Sequence, residues 1–254
     1  PNPLYTSNLV LIAKYKPLNC LEDTSGLHKI DDDVTSYKLC QDLRALNAVI
    51  EVKCNTALSN PLRDLSKFEG KIMSTLDASQ AYLSIHIHEY AKRYTAFYFH
   101  KKIYCWNRLT QGLLDSSRLF TEYLNMVFSE ASLRDALKEL TLPEYELLQR
   151  KCDEVSWSKF LDFYFENIWI FSDDQELHYI HLKLAFHALH AAKLKINPKK
   201  AKLYTYECSI LGQNFNSKNI ELFMDEIKLS TILSWDRPNS CFDLHSKLCT
   251  LFYL

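Results

Sequence analysis

The amino-acid sequence predicts an α+β protein, because a hairpin of two buried strands is followed by a long helix. The segment Phe160–Phe171 contains two runs of aromatic and β-branched residues around one polar pair, Glu166 and Asn167. Such runs favour extended backbone, and the polar pair marks the expected turn of a β-hairpin. After it, apolar residues from Leu177 to Leu194 keep helical spacing, which predicts a long helix. A carboxylate at the tip of an apolar hairpin also suggests a metal site, if a second carboxylate lies nearby; an ordinary buried hairpin is the alternative.

Most elements before this hairpin are predicted as strands, because apolar residues occur in short runs or alternate with polar ones. The predicted strands are Leu9–Ala13, Tyr37–Leu43, Ser74–Asp77, Leu83–His88, Thr95–Phe99 and Ile103–Trp106. A short helix is predicted over Ser59–Phe68, since Pro61 suits a first helical turn and Ser59 or Asn60 suits the N-cap. The polar segment Asn19–Ser36 is interpreted as an exposed loop, and its three adjacent aspartates as a solvated turn rather than a metal site.

The other predicted elements are mainly helical. Helices are predicted over Ser116–Phe128, residues 130–158 with a break at Pro143, Ser172–Leu194 and the residues after Pro238. Asp173 and Asp174 are interpreted as the N-cap and first turn of the long helix, where carboxylates satisfy free amides and the helix dipole. Four histidines on this helix have spacings that suit zinc, but no cysteine or carboxylate pattern supports a zinc site. Asn197–Lys202 is predicted to be a basic turn.

The composition excludes several classes of protein. The 254 residues are 47% hydrophobic and 24% charged, as in ordinary soluble globular proteins. Four glycines leave no glycine-rich phosphate loop, and no apolar run approaches the roughly 20 residues of a membrane span. The eight cysteines form no C-x-x-C pair, so we expect buried thiols in a reducing, intracellular compartment. The net charge of −1 argues against a uniformly basic nucleic-acid binder but permits a local basic track. Because Pro1 is first, we expect a piece of a longer chain.

Six short motifs occur in a fixed order along the chain. The segments are Tyr37–Asn47, Leu76–Tyr82, Leu109–Phe120, Tyr164–Asn167, Leu194–Lys200 and Ile210–Gln213. Together they resemble the motifs of the reverse transcriptase domain of long-terminal-repeat retroelements and retroviruses. The resemblance runs from about Pro3 to Tyr253, and it is interrupted near residues 17–36 and 130–158, where this chain is longer than the family usually is. Each motif alone is weakly specific, whereas six in the correct order are strongly specific.

The resemblance implies an α+β fold with a palm, which is an antiparallel sheet with helices on one face, together with a fingers subdomain and the start of a thumb. We expect the fingers over residues 1–53 and 85–115 and the palm over 54–84 and 116–218. Residues 219–254 would form the palm edge and the beginning of the thumb or connection. The expected partners are an RNA or DNA template–primer and, if the domain is active, deoxynucleoside triphosphates, with no membrane partner.

The resemblance also implies a chemistry and a set of site residues. Nucleotide addition is an in-line phosphoryl transfer, supported by two magnesium or manganese ions roughly 4 Å apart. The catalytic positions would be Asp77, Glu166 and Asn167, of which Asp77 and Glu166 would hold the metal. The nucleotide-binding positions would be Lys38, Ala78, Tyr82, Gln111, Lys199 and Lys200. The template and primer positions would be Arg44, Asn47, Gly112, Tyr164, Leu211 and Gly212.

The sequence departs from the family at its catalytic hairpin, where Glu166 and Asn167 stand in place of two aspartates. Asn167 removes a negative charge, and Glu166 places its carboxylate one methylene farther from the backbone. A misplacement near 1 Å can cost about 10²-fold in rate. Ser117 and Thr110 also replace prolines that are usual in the family. We therefore predict a reverse transcriptase fold whose polymerase activity is lost or severely reduced.

Three functions stay open at this point. The first is an RNA-directed DNA polymerase domain with weak residual activity. The second is a non-catalytic nucleic-acid-binding or scaffold module derived from a retroelement. The third is a translated remnant without a selected function. The pair Glu166 and Asn167 favours the second or the third.

Overall fold

The computed structural model describes residues 6–7, 9–13, 37–51, 64–210, 213–223 and 226–253. Its contacts divide the chain into two compact units, unit 1 with residues 1–57 and 80–123 and unit 2 with residues 58–79 and 124–254. The predicted loop Asn19–Ser36 lies outside the described residues, as does most of the predicted helix Ser59–Phe68. The described end of that helix is a single 3₁₀ turn, Ser66–Phe68.

Unit 1 contains two small sheets and short helices. Its elements are β1 (Thr6–Ser7), β2 (Leu9–Ala13), β3 (Tyr37–Gln41), α1 (Arg44–Asn47), a 3₁₀ turn (Ala81–Ser84), α2 (Glu89–Lys92), β5 (Ala96–Phe99), β6 (Lys102–Tyr104) and the first part of α3 (Ser116–Val127). Strands β2 and β3 pair antiparallel, while β5 pairs with β1 in parallel and with β6 antiparallel. The predicted hairpin around residue 100 is confirmed, and its turn is the pair His100 and Lys101, because Lys102 already pairs with Phe99.

The predicted strand Leu83–His88 is reduced to one antiparallel bridge between His86 and Arg108, in which the Ile87 N–H donates to the Asn107 carbonyl and the Leu109 N–H donates to the Ile85 carbonyl. Its first residues belong to the 3₁₀ turn, in which the Ser84 hydroxyl donates to the carbonyl of Ala81. His88 caps α2 by accepting a hydrogen bond from the backbone N–H of Tyr90. Both side chains thus satisfy local backbone groups, and such bonds compete with strand pairing despite the alternating apolar pattern.

Unit 2 is built on a four-stranded antiparallel sheet of order β7-β8-β4-β9. Its strands are β4 (Ile72–Asp77), β7 (Leu161–Tyr164), β8 (Asn167–Ser172) and β9 (Lys202–Thr205). A second antiparallel sheet contains β10 (Glu207–Ile210), β11 (Gln213–Asn216) and β12 (Glu221–Phe223). The helices are the end of α3, α4 (Glu130–Leu137), α5 (Leu142–Lys151), α6 (Trp157–Phe160), α7 (Gln175–Ala191), α8 (Glu226–Leu233) and α9 (Cys241–Tyr253). The predicted α+β architecture is therefore confirmed.

The two faces of the larger sheet are buried against different layers. Alternate residues of β4 and β8 point to opposite faces, because side chains alternate along a strand. One face packs against α7, on which α4 and α5 lie. On the other face, Met73 and Trp169 join a buried cluster with Phe215 and Ile210 of the second sheet. Helices on one face of the sheet agree with the prediction.

The helical predictions are largely confirmed, with shifted ends. Helix α3 stops at Val127, and α7 stops at Ala191 instead of Leu194. The predicted division of residues 130–158 near Pro143 is confirmed with a small shift, because α4 ends at Leu137 and Pro143 lies in the first turn of α5, where a helix has no use for its N–H. The Asp174 side chain accepts a hydrogen bond of 3.0 Å from the N–H of Leu177, so its N-cap role is confirmed.

Two histidines of α7 form a buried polar network under the sheet. Ser172 Oγ lies 2.8 Å from Nδ1 of both His178 and His181, and Ser74 Oγ lies 2.7 Å from Nε2 of His178. The His181 ring stacks on Phe160 with centroids 3.9 Å apart. Because a hydroxyl carries one hydrogen, one of the two Nδ1 atoms must donate to Ser172. These contacts join α7 to β4 and β8 of the sheet.

No helix in the described part of the chain has the length and hydropathy that crossing a bilayer requires.

Candidate functional site

Asp77 and Asn167 are direct partners across the two central strands of unit 2. Asp77 ends β4, Asn167 begins β8, and the antiparallel register pairs them. Residues paired in this way point to the same face, with Cα atoms about 4.5–5.5 Å apart. The register continues past the strand end, since the N–H of Ala78 donates to the carbonyl of Glu166 over 2.8 Å. The two predicted catalytic strands are therefore adjacent, and their side chains meet at Asp77 and Asn167.

The hairpin turn lies one residue earlier than predicted. Tyr164 pairs with Asn167, so the two turn residues are Phe165 and Glu166 rather than Glu166 and Asn167. Phe165 takes the left-handed conformation that was expected of Asn167, with φ of +51°. Its ring packs edge to face on Tyr164, with centroids 4.2 Å apart. Because Phe165 keeps its contact with Tyr164, an aromatic residue occupies the first turn position. The polarity of Glu166 and Asn167 therefore placed the predicted turn one residue too late.

Lys200 lies against the carboxylate of Asp77. Its Nζ is 3.0 Å from Asp77 Oδ2, and the Asp77 side chain is 17% exposed whereas that of Lys200 is 63% exposed. The turn before Lys200 is held in place by the Asn197 N–H, which donates to the Asp77 carbonyl over 2.8 Å. The basic turn predicted here is confirmed from residues 198 to 200, but Lys202 already belongs to β9. The ammonium group of Lys200 thus pairs with the carboxylate of Asp77.

A cavity of about 410 Å³ opens beside these residues in unit 2. Its described lining residues are Thr75, Leu76, Asp77, Tyr164, Phe165, Asn167, Trp169, Lys200, Lys202 and Ser209. Glu166 is not among them. The charged groups at the cavity are thus one carboxylate and two ammonium groups, which favours an anionic ligand over a cation.

These donors do not fit a pair of magnesium ions. Magnesium requires hard oxygen ligands in nearly octahedral geometry, and carboxylates supply most of them in proteins. The cavity is lined by the carboxylate of Asp77 and the neutral amide of Asn167. The Asp77 carboxylate is already paired with the ammonium group of Lys200. Among the residues that the structure describes, no cluster of three acidic, histidine or cysteine side chains is suited to a metal.

In unit 1, Asn47 and Gly112 form one structural feature. Asn47 Nδ2 donates to the carbonyl of Gly112 over 2.8 Å, and its Oδ1 accepts from the N–H of Leu114 over 2.9 Å. Gly112 has φ of +92°, in the left-handed region that favours glycine. Gln111 beside it is exposed. The amide of Asn47 is therefore used in holding this turn, a role that the motif spacing did not reveal.

Tyr82 is buried within unit 1. Its ring lies 5.6 Å from that of Phe120, and its hydroxyl is 3.3 Å from Ser117 Oγ. Ser117 thus gives Tyr82 a polar neighbour where the family usually has proline. Arg44 is exposed and forms an ion pair of 2.8 Å with Asp42, and this guanidinium lowers the pKa of Asp42 to about 2.

The remaining predicted site residues are placed as follows. Lys38 lies on β3 opposite Ile12, but its side chain is outside the described part of the structure. Leu211 and Gly212 also lie outside the described residues. Ala78 is buried and Lys199 is exposed. Their roles stay predictions.

Comparison with known proteins places this geometry in a family. The family described as reverse transcriptase (RNA-dependent DNA polymerase) matches residues 28–215. The chain belongs to the reverse transcriptase family. The predicted resemblance is thus confirmed over most of the chain.

The relatives of this reverse transcriptase domain include viral polyproteins. It is 30% identical over 153 residues to the Pro-Pol polyprotein of simian foamy virus type 3, strain LK3, covering 60% of this chain and 11% of that protein. It is 22% identical over 219 residues to the Gag-Pol polyprotein of walleye dermal sarcoma virus, covering 85% of this chain and 11% of that protein. The chain therefore spans about a tenth of the length of these relatives.

Solved structures confirm the reverse transcriptase fold. A foamy viral protease-reverse transcriptase in complex with an RNA/DNA hybrid matches 98% of this chain and 27% of that chain, with a TM-score of 0.63 and 19% identity. The same enzyme in complex with double-stranded DNA matches 88% of this chain and 41% of that chain, with a TM-score of 0.62 and 21% identity. At these identities the likeness concerns the fold.

Proposed function

We propose that this reverse transcriptase domain binds an RNA or DNA template–primer and has lost nucleotidyl transfer, or performs it at a strongly reduced rate. One observation carries the proposal. The residue that faces Asp77 across the central strands is the neutral Asn167, while Lys200 neutralises Asp77 itself. A strand end that needs converging carboxylates for this chemistry offers instead a balanced ion pair and an amide.

The loss of charge is large on the scale of catalysis. Phosphoryl transfer is catalysed mainly by positioning and by neutralisation of charge on the transferred group. Magnesium or manganese ions would supply that neutralisation in an active relative, and they require carboxylate ligands. With the Asp77 carboxylate already neutralised by Lys200, any residual activity rests on Glu166, at the tip of the hairpin.

The same cavity supports nucleic-acid binding. Lys200 and Lys202 line it, and Lys199 is exposed beside them. Lysine groups bind phosphate with release of counterions, so affinity falls as salt rises. Two structures with this fold are complexes of foamy viral protease-reverse transcriptase with an RNA/DNA hybrid and with double-stranded DNA. Template–primer binding without efficient extension is therefore the function we assign.

The domain names follow from the same proposal. We assign the name fingers to unit 1, and the names palm and beginning of the thumb to unit 2. The expected boundaries near residues 53–54 and 84–85 differ by a few residues from the division at 57–58 and 79–80. The expected boundary at 115–116 lies at the start of α3, and the division falls inside this helix, at 123–124.

Primer extension tests the proposal. The wild-type protein and the double variant Glu166→Asp with Asn167→Asp would be compared on an RNA template with a DNA primer, with Mg²⁺ and with Mn²⁺. We expect little or no extension by the wild type and clear extension by the double variant. Asp77→Ala in the restored background should abolish it, because this removes the partner of the restored carboxylates.

Two outcomes would contradict the proposal. Extension by the wild type at the rate of the restored variant would show that the substituted hairpin is not the lesion. Failure of the wild type to bind the template–primer at low salt would remove the binding function and leave the remnant interpretation. Asp173→Asn is a matched control, because it removes an exposed carboxylate at the start of α7, at the other end of β8 from Asn167.

A further inference from the structure

Two described cysteines, Cys241 and Cys249, are exposed, and both lie on helix α9 of unit 2. The other described cysteines are buried or half-buried. The sequence-based prediction of buried thiols is therefore wrong for the two on α9, whose side chains are open to solvent. A thiol in such a position can bind a soft metal ion.

Cys249 contacts a histidine one helical turn earlier. Its Sγ lies 3.5 Å from Nε2 of His245, which is also exposed. Residues four positions apart are neighbours on the surface of a helix, so the backbone of α9 keeps these two side chains together. A hydrogen bond between thiol and imidazole is one use of this contact, and a shared metal ion is the other.

The separation of these two atoms suits two ligands of one tetrahedral zinc ion. Zinc–sulfur bonds are about 2.3 Å long and zinc–nitrogen bonds about 2.0–2.1 Å. At the tetrahedral angle, these lengths place sulfur and nitrogen about 3.5–3.6 Å apart. The observed distance between Cys249 Sγ and His245 Nε2 is 3.5 Å. Binding of zinc between them therefore requires little movement of either side chain.

His245 and Cys249 supply only two of the four ligands of a structural zinc site. The nearby Asp243 is already used, because its carboxylate forms an ion pair of 3.0 Å with Lys247. Among the residues that the structure describes, no group of three His, Cys, Asp or Glu is suited to a metal. The described part of the chain thus contains a half-site, which a second pair of ligands would complete.

The surface around the half-site is apolar. At about 100° per residue, Phe242 and Leu248 project from the same side of α9 as His245 and Cys249. Phe242 is 83% exposed and Leu248 is 41% exposed. In a two-fold symmetric contact, the same patch of two copies meets itself. A second copy would therefore supply another histidine and cysteine, and it would cover these apolar side chains on both copies.

We propose that His245 and Cys249 bind a zinc ion together with the same two residues of a second copy of the chain. Two imidazole nitrogens and two thiolates form a ligand set of structural zinc sites. Each Cys249 thiol releases its proton to solvent when the sulfur binds zinc, and each His245 binds through the lone pair of Nε2, with the hydrogen on Nδ1. Two neutral thiols and Zn²⁺ thus give a neutral site and two released protons. The inference goes beyond the proposed function and does not rest on it.

Titration of the full chain with Co²⁺, in a phosphine reductant, tests the site, because cobalt bound by thiolates in a tetrahedral site absorbs visible light strongly. We expect saturation at one Co²⁺ per two chains, displacement of Co²⁺ by Zn²⁺, and conversion of monomer to dimer by either metal in sedimentation velocity. Cys249→Ser should abolish the thiolate absorption. His245→Ala should weaken binding by at least about tenfold, since even residues behind the ligands of a metal contribute that much.

Cys241→Ser is the matched control, because it removes the other exposed thiol of α9 and should bind Co²⁺ as the wild type does. A loss as large as that of Cys249→Ser would contradict the assignment of the ligands. Absence of thiolate absorption in the wild type would overturn the inference, and so would saturation at one metal per chain without dimer. A dimer that persists in chelator would show an interface that needs no metal. Melting curves without metal confirm that each variant is folded.

Discussion

Lys200 Nζ lies 3.0 Å from Asp77 Oδ2, at the strand end where Asp77 faces Asn167. The pair is closed by a turn whose Asn197 N–H is bonded to the Asp77 carbonyl. The backbone bond of Asn197 and the ion pair of Lys200 thus both hold this turn against Asp77. The positive charge of Lys200 balances the negative charge of Asp77, so this strand end should repel phosphate less than an unpaired aspartate would.

Removing the lysine should weaken template–primer binding through repulsion as well as through lost attraction. Lys200→Met leaves the Asp77 carboxylate without its counter-charge, so we expect a larger loss of affinity than for Lys199→Met, its exposed neighbour. Asp77→Asn in the Lys200→Met background should recover part of the loss. Anisotropy with a labelled template–primer at several salt concentrations measures this, and equal losses for the two lysine variants would contradict it.

The same pair should contribute little to stability. Lys200 is mostly exposed, and ion pairs of this kind are worth about 0–1 kcal/mol because solvent and salt screen them. A double-mutant cycle of Asp77→Asn and Lys200→Met in urea unfolding should give a coupling energy below about 1 kcal/mol. A coupling of several kcal/mol would show that the pair anchors the fold, and the functional interpretation of its charge would lose its basis.

The two hairpin reversions should differ in effect. Asn167→Asp places a carboxylate directly opposite Asp77, whereas Glu166→Asp changes a residue at the turn. We expect Asn167→Asp alone to raise primer extension more than Glu166→Asp alone, and the pair to exceed both together, because groups that act as a unit are non-additive. Equal gains from the two single variants would contradict this order. Both changes should alter stability by about 0.5 kcal/mol or less.

The buried histidines should make unit 2 sensitive to acid. Burial lowers the pKa of His178 to about 4 and that of His181 to about 3, the latter also through its neighbour His178. The unfolded chain titrates near 6.5, so between pH 6.5 and the folded values it binds protons that the folded protein does not. Stability is therefore lost as the pH falls through 6.5, by about 2 kcal/mol per histidine at pH 5.

Urea unfolding at pH 7 and pH 5 measures this loss. His181→Phe keeps a ring on Phe160 and should remove about half of the difference between the two pH values. His190→Gln is the control, because it changes an exposed histidine of the same helix. A pH dependence that His181→Phe leaves unchanged would assign the acid sensitivity to other groups.

The two hydrogen bonds that the Asn47 side chain makes to the Gly112 turn give a prediction for unit 1. Asn47→Asp keeps the acceptor for the Leu114 N–H but turns a carboxylate toward the Gly112 carbonyl, which then lacks its donor. Because Gly112 is exposed, water can replace the lost donor, so we expect this variant to lose about 0.5–1.5 kcal/mol of unfolding free energy, and Asn47→Ala to lose a similar amount. Unfolding of Asn47→Asp at the wild-type urea midpoint would show that these hydrogen bonds are dispensable.

Local patterns predicted most of the sheet and helices of unit 2. The run of aromatic and β-branched residues in Phe160–Phe171 was sufficient to find β7 and β8, because β8 is buried on both faces after Asn167 and β7 is buried or half-buried throughout. The turn was placed one residue late because Phe165 adopts φ of +51° and keeps contact with Tyr164, which polarity alone does not indicate. The predicted strand Leu83–His88 had the right alternation, but it is limited to a bridge at His86, because Ser84 and His88 at its two ends bond to local backbone groups.

The site itself was predictable only in part. Order and spacing of the motifs brought Asp77 and the hairpin together correctly, since their strands pair. The ion pair with Lys200 joins residues 123 positions apart and depends on how the Asn197 turn docks, which no local signal reveals. The same holds for Asn47 and Gly112, which are 65 positions apart. Contacts of this kind follow from tertiary packing.

The left-handed conformation of Phe165 shows that the shape of the hairpin tip does not depend on a turn-favouring residue. A bulky residue in this conformation costs about 1–2 kcal/mol, so the paired strands on either side, and not the turn residue, impose the shape of the hairpin tip. Substitutions at Glu166 and Asn167 should therefore change the free energy of unfolding little. Under the proposed function, such substitutions would remove nucleotidyl transfer and leave the fold that binds nucleic acid in place.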